Sequence, residues 1–550
     1  MPALLTTRGV PRLIACAALT FATQFAFAAD SGMRVLNPPG ALIVDGATTK
    51  RITVQVPPQS ATAGAKVVAT LYRYDANADP SSTAVTTFQA PATGEKGNGQ
   101  VSFNVALPNY GLFLLDTKLV SASGAESDSL KINIAALTPG NSAFPDAGVV
   151  THFGQRKGSA AAVLPLIKRA GFAWIRDELY WGEVEKTAGK FTFPPDNGNY
   201  GDYVAQAVKM NLKPLIVLDY GNTGAYPNLF KGPQRFPQTQ QERDLFVRYA
   251  QKIVGYYGKQ VKNWEIWNEP AFAKIGYDNY VALLKPVYTA IKAQSPDANV
   301  ISCGGGGAGG GPGGDCIAEL IKRGALDYQD GFSIHPYMSP SDPDVGYSAK
   351  GSPLGRVNVP NVWPHLARMT QANPKPGEGK LKLWITEIGW PSSPSSAGLS
   401  EQRQAAYVAR TFLLSRRFDA VEAVIWYDFV DDGLKPSEKE HNFGLVRLDL
   451  SPKPAYVAAA VLMKTIGTKK WDHALVDRGD IKVYQYGSDD KVIVGWKTDT
   501  DANASPTAVP IPPGTYTQRD WQGATSTVVV KDGFQWELGS LPKYLISAGK

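Results

Sequence analysis

Two glutamates stand where acid–base chemistry could be done. Glu269 closes the run Trp264-Glu265-Ile266-Trp267-Asn268, and Glu387 closes Leu383-Trp384-Ile385-Thr386. Both follow strongly apolar stretches, and they lie 118 residues apart. Two facing carboxyl groups suit the cleavage of a glycosidic bond. One, protonated, releases the leaving-group oxygen; the other, ionised, attacks the anomeric carbon. A separation of roughly 5–5.5 Å gives retention, whereas roughly 6.5–9.5 Å admits a water and gives inversion. Their environments are expected to split the pKa values, the acid's raised and the nucleophile's kept low. Polar and aromatic residues also follow the other apolar runs: His152; Arg176, Asp177, Glu178 and Trp181; Asp219 and Tyr220; His335 and Tyr337; Trp426, Tyr427 and Asp428.

The elements that must position them alternate. Apolar runs at 149–154, 174–176, 214–218, 264–267, 300–302, 332–334, 383–386 and 423–426 read as strands. Amphipathic stretches at 161–170, 202–210, 242–257, 280–294 and 401–416 read as helices between them. This predicts an α/β fold, a (β/α)8 TIM barrel over residues 145–465. An open doubly wound sheet is the second choice. Its Gly-x-Gly-x-x-Gly fingerprint occurs only trivially, inside the glycine run 304–314. In a barrel the reacting groups sit at the C-terminal strand ends. Three βα units of about 35–40 residues fit the spacing, so Glu269 ends strand four and Glu387 strand seven, nearly opposite across the mouth. Glu265, four residues before Glu269, shares its face but lies deeper. It is expected to be a buried structural partner of Arg176, because an unpaired charge there would cost several kcal/mol.

The flanks have a different texture. Residues 30–140 carry short alternating runs between turns and predict an N-terminal β-sandwich of immunoglobulin-like type; residues 466–550 predict a small C-terminal β-sandwich domain. Residues 1–29 read as a signal peptide. Arg8 and Arg12 precede the short apolar stretch 13–25, and Ala26-Phe27-Ala28 offers a cleavage site. The mature chain is then expected to be secreted or periplasmic, with no transmembrane anchor. Cys303 and Cys316 remain after signal removal and are expected to form a disulfide across the glycine run, two free thiols being the alternative. Closing a loop of about 14 residues is worth roughly 3 kcal/mol. A net charge of +7 over 550 residues does not suggest a nucleic-acid partner.

The motifs carry a resemblance. Asn-Trp-Glu-Ile-Trp-Asn-Glu-Pro at 263–270 resembles the acid/base motif of the clan A glycoside hydrolases, and Leu-Trp-Ile-Thr-Glu-Ile-Gly-Trp-Pro-Ser at 383–392 their nucleophile motif. His335-Pro336-Tyr337 matches the sixth-strand motif, and 181–193 resembles the segment after the second strand. Within the clan the chain is most similar to family 39, including periplasmic exopolysaccharide endoglycosidases, with family 5 next. The resemblance implies a retaining glycoside hydrolase acting on β-glycosidic bonds of a polysaccharide or oligosaccharide, without metal or cofactor. It implies Glu269 as acid/base, Glu387 as nucleophile, Asn268 on the sugar 2-hydroxyl, Tyr337 holding Glu387 with His335 nearby, and Trp426 as a sugar platform.

His152 and Trp181 are further candidate substrate contacts; the plain alternatives are a rim hydrogen-bonder and a core ring. Asp428, Asp431 and Asp432 form an acidic cluster beside the mouth, read as solvated loop rather than a calcium site. Two other function classes stay open: a carbohydrate-binding or export-associated barrel with weak or no turnover, and a transglycosylase sharing the same covalent intermediate.

Overall fold

The computed structural model describes residues 32–547, apart from 76–83, 141–142, 196–201, 233, 306–313, 350–353, 376–378, 380 and 499–503. The expected signal peptide and most of the glycine run lie outside the described residues.

Eight parallel strands close into a barrel in sequence order: β1 (Phe144–Val150), β2 (Phe172–Glu178), β3 (Lys213–Leu218), β4 (Asn263–Ile266), β5 (Asn299–Ser302), β6 (Gly331–Ile334), β7 (Lys382–Ile388) and β8 (Val421–Trp426). The expected TIM barrel is present, with further β-sheets outside it. Period-two alternation divides each strand. One set of side chains, including Val150, Trp174, Leu215, Ile301, Trp384, Ala423 and Ile425, fills the barrel axis. Trp174 and Trp384 meet there edge to face at 5.2 Å. The alternate set, such as Ile175, Ile216, Trp264, Ile385 and Val424, packs under the surrounding helices. The lower barrel is thus a filled apolar plug, and polar side chains gather above it.

Helices Ala160–Ala170, Tyr203–Lys209, Gln240–Tyr257, Tyr277–Gln294 and Glu401–Ser415 match the amphipathic stretches. Gln240–Tyr257 starts with a full capping box between Thr239 and Glu242. The pattern did not foresee Gly314–Lys322, Val359–Ala372 and Pro454–Ile466. Val359–Ala372 contains Pro360 and Pro364, which argue against a helix. Pro360 falls in the first turn, where its missing amide is not needed, and Asn358 caps the end. β1 begins five residues earlier than the apolar pattern suggests and ends at Val150, leaving His152 in the following loop.

On the N-terminal side a three-stranded sheet (Arg34–Val35, Thr49–Gln55, Gln100–Ala106) faces a five-stranded one (Ile43–Asp45, Lys66–Arg73, Ala84–Pro91, Gly111–Val120, Glu126–Leu137) over a core of Val54, Leu71, Phe103 and Ile134. After the barrel, a six-stranded sheet spanning 471–547 packs with the ribbon Ser505–Ala508/Gln535–Leu538 around Trp536. The two flanking regions touch each other. Gln522 accepts from the Leu112 amide at 3.1 Å and donates to the Tyr74 carbonyl at 2.8 Å, and Trp521 meets Tyr74 edge to face.

Candidate active site

The floor of the site is one guanidinium. Arg176, at the inward-facing end of β2, donates through Nε to Glu265 Oε2 (2.6 Å), through Nη1 to Glu387 Oε1 (2.8 Å) and through Nη2 to Asn268 Oδ1 (3.0 Å). Arg176 and Glu265 are both buried, as the spacing on β4 leads one to expect. The other oxygen of Glu265 accepts from the Thr386 hydroxyl at 3.0 Å. One cation therefore fixes a structural glutamate on β4, a glutamate at the top of β7 and the amide of Asn268. The Asn268 amide nitrogen in turn donates to the Tyr220 hydroxyl at 3.1 Å.

Glu387 is fixed from two sides, by Arg176 on Oε1 and by the Tyr337 hydroxyl on Oε2 at 2.7 Å. Strict alternation would point Thr386 and Glu387 to opposite faces. The pairing of β7 with β8 is irregular between Ile385 and Ile388, and both side chains reach the site. Glu269 sits on a bent backbone: Trp267 and Glu269 have φ of 70° and 44°, a region that non-glycine residues seldom adopt. The Glu269 amide donates to the Gly304 carbonyl at 2.5 Å, just after Cys303. Cys303 and Cys316 are bonded, as expected.

His335 joins the two carboxylates. Its Nδ1 is 2.9 Å from Glu269 Oε1 and 3.4 Å from Glu387 Oε2, and its Nε2 is 3.0 Å from Thr386 Oγ1. One oxygen of Glu269 lies within 4.8 Å of one of Glu387. Two carboxyl groups this close can act on a single anomeric centre without an intervening water. The Glu269 side chain is 59% exposed and that of Glu387 only 8%.

The electrostatics correct one expectation. The hydrogen bond from His335 holds Glu269 below the ordinary carboxylate range; burial works against this, and the His335 and Arg176 charges reinforce it. An acid with a raised pKa is therefore not what the free protein presents. The raised group is His335: burial alone would lower it, but the Glu387 charge and the Glu269 hydrogen bond outweigh that. Burial, then the neighbouring Glu387, pushes the Tyr337 hydroxyl well up, so it remains a donor.

Arg176, Asn268, Glu269, Tyr337 and Glu387 line a cleft of about 430 Å³ together with His152, Gln155, Glu178, Ser339, Lys439, Glu440, Tyr427 and Phe443, and His335 lies buried just behind it. Asn268, Glu269, His335, Tyr337, Glu387, Arg176 and Glu265 are brought together, and His152 reaches the same cleft from the β1 loop. Two expected sugar platforms are corrected. Trp426 is fully buried and stacks on Trp390 at 5.6 Å. Parity explains it: Ala423 and Ile425 face the axis, so Trp426 faces the helices and Tyr427 takes the cleft. Trp181 is also fully buried, stacked on Tyr249 with its indole N–H on Glu185 at 2.6 Å. Asp177 likewise turns away to the Thr151 hydroxyl and the amides of Phe153 and Gly154. The sequence reading gave Thr386 and Tyr427 no role, and the period-two count along β8 was the signal that could have assigned Tyr427 to the cleft.

Comparison with solved structures decides the family. A family 39 glycoside hydrolase from the gut symbiont Bacteroides cellulosilyticus WH2 is 33% identical, with a TM-score of 0.79, over 94% of this chain and 100% of that one. The chain belongs to glycoside hydrolase family 39. As a family 39 enzyme it is a glycosidase. A family model described as cellulase (glycosyl hydrolase family 5) also matches residues 138–411. A glucosidase from Croceicoccus marinus (13% identity, TM-score 0.50, 75% of this chain and 97% of that one) shares the fold. So does SrfJ from Salmonella typhimurium (9%, TM-score 0.50, 74% and 91%). No curated protein matches the chain.

Proposed function

We propose that this family 39 glycoside hydrolase cleaves β-glycosidic bonds within a polysaccharide or oligosaccharide with retention of configuration. The observation that carries the reading is the approach of Glu269 and Glu387 oxygens to within 4.8 Å. That approach supports the close arrangement of retaining enzymes over the wider one of inverting enzymes.

Glu387 is the nucleophile. Arg176 and Tyr337 fix both of its oxygens, so it meets the anomeric carbon in one orientation. As its oxygen bonds to that carbon, the glycosidic bond breaks and Glu269 gives its proton to the departing oxygen. Glu269 then takes a proton from water, and the resulting hydroxide oxygen replaces Glu387 at the same carbon. His335 supplies the proton that Glu269 lacks in the free protein: their 2.9 Å contact lets one proton sit on either side. A sugar lying over the exposed Glu269 removes water from it, which favours the neutral acid. Asn268, its carbonyl held by Arg176 and its amide directed toward Tyr220, offers its remaining N–H to the sugar 2-hydroxyl. His152 and Tyr427 contact the sugar from the cleft wall. The exposure of Glu269 supports a leaving group that continues as a chain, and hence action inside an exopolysaccharide. The disulfide supports a secreted or periplasmic site of action.

The test is reducing-end release from a panel of bacterial and plant polysaccharides, with the first-formed anomer read by proton NMR. Glu387→Gln should abolish at least about a thousandfold of the rate while leaving the circular dichroism unchanged. Release with inversion, or turnover that survives Glu387→Gln, would refute the reading.

A further inference from the structure

A second polar cluster lies behind the cleft wall, between the loops that follow β1 and β8. Asp428 is 1% exposed, and neither of its carboxylate oxygens finds a hydrogen-bond partner among the described residues. It borders a small void of about 20 Å³, together with Thr151, His152, Lys157 and Asp432. His152 Nδ1 is 2.9 Å from Asp432 Oδ1 and 3.7 Å from Asp428 Oδ2. One donor atom from each of His152, Asp428 and Asp432 lies within 4.8 Å of the other two.

The neighbouring acids are satisfied. Asp431 accepts from Lys453 Nζ at 2.6 Å and from the Gly444 amide at 2.9 Å. The second oxygen of Asp432 takes Lys157 Nζ at 2.8 Å. Asp428 is the exception: a carboxyl group removed from water with nothing donating to it, which is strongly unfavourable for the charged form. A void of this size holds one water or one ion. A water brings two donors but no charge. A cation answers both the open lone pairs and the charge.

We propose that His152, Asp428 and Asp432 bind one divalent cation of the zinc or manganese class. The donor set decides the class. One imidazole nitrogen and two carboxylates, one or both of them binding through both oxygens, make a four- or five-coordinate site. Calcium asks for six to eight oxygens, which this enclosed space does not offer. The cation takes the place of the proton shared between His152 and Asp432, so binding releases that proton. Lys157 is 43% exposed and can turn to solvent as the charge enters. The same His152 lines the cleft and meets Tyr427 edge to face at 5.6 Å, so an occupied site stiffens one wall of the sugar cleft.

The test uses the whole chain, expressed without an oligohistidine tag and stripped with EDTA. It is then equilibrated with Zn2+, Mn2+ or Ca2+. Metal retained through gel filtration is counted by mass spectrometry, and Tm is read by calorimetry, for the wild type, Asp428→Asn and Asp432→Asn. The expected result is one equivalent of zinc or manganese per wild-type chain and a Tm raised by several degrees. Both effects should be lost in either variant, and calcium should have no effect at the same concentration. Retention or a Tm response equal in wild type and variants overturns the proposal. So does an Asp428→Asn protein that is more stable than a wild type with no metal response, since the void then holds a water beside a protonated acid. Should Asp428→Asn not fold, Asp432→Asn and the wild-type stoichiometry decide. Turnover is not read in any arm, so the outcome is independent of the proposed glycosidase mechanism.

Discussion

His335 Nδ1 and Glu269 Oε1 stand 2.9 Å apart, a distance at which a single proton serves both. The far side of the ring sets the tautomer. The Thr386 hydroxyl has one proton, which it gives to Glu265, so it accepts from His335 Nε2. The shared proton therefore belongs to the Nδ1 side. His335 is raised above its ordinary value of 6.5 and Glu269 lowered below 4.5, so between those limits the pair holds one proton. The proton is lost only as pH climbs past the raised imidazole value. The basic limb of kcat/KM is thus expected above pH 6.5. In His335→Gln the stabilised proton is gone, and the basic limb should move down toward the carboxylate range. A pH profile of both proteins checks this, and an unmoved basic limb would refute it.

Truncating Glu269 separates bond cleavage by leaving group. Glu269→Ala should slow substrates with poor leaving groups by about 10²–10⁴-fold and spare activated aryl glycosides in the first step. Added azide should then rescue the second step and yield a glycosyl azide of retained configuration, detectable by NMR. An inverted azide would point to a water-mediated arrangement instead.

Arg176 and Glu265 should behave as a buried pair. Arg176→Met leaves Glu265 enclosed without its cation, with the Thr386 hydroxyl the one remaining donor to it among the described residues. The loss should be about 3–5 kcal/mol in urea unfolding. Adding Glu265→Gln to Arg176→Met should recover part of it. Equal stability of the single and double variants would show that the charge was never the problem.

The barrel was legible because each strand is an apolar run followed by polar residues, and the two glutamates because each ends such a run with a chemically distinctive neighbour. The direction of a ring at a strand end was less legible. Trp426 and Tyr427 are adjacent aromatics, and only the parity set by Ala423 and Ile425 tells which one faces the cleft. The protonation pattern was not legible at all. His335 is 66 residues from Glu269 in the chain, and closure of the barrel brings its ring against the carboxylate. Helix Val359–Ala372 was hidden by two prolines: Pro360 falls in the first turn, where proline is tolerated, and Pro364 lies inside the helix, held there by its surroundings.

That parity makes a prediction of its own. Trp426→Ala should cost about 3–5 kcal/mol of stability and leave KM nearly unchanged in the protein that still folds. Tyr427→Ala should raise KM with little change in Tm. Denaturant curves and steady-state kinetics on the two variants would expose an inverted assignment.

The disulfide should matter for catalysis as well as for stability. Replacing both Cys303 and Cys316 by serine should cost roughly 2–4 kcal/mol. It should also loosen the Gly304 carbonyl on which the Glu269 amide rests. The rate on poor leaving groups should therefore fall more than the rate on activated ones. Equal losses on both would confine the disulfide to stability.

Gln522 binds backbone of the first β-region through both ends of its amide, across 410 residues of chain from Leu112 and 448 from Tyr74. A nascent polypeptide released from the ribosome short of that glutamine would leave the Leu112 amide and the Tyr74 carbonyl without their partner. Two stretches far apart in the chain are thus latched together, and a chain without Gln522 carries an open seam between them.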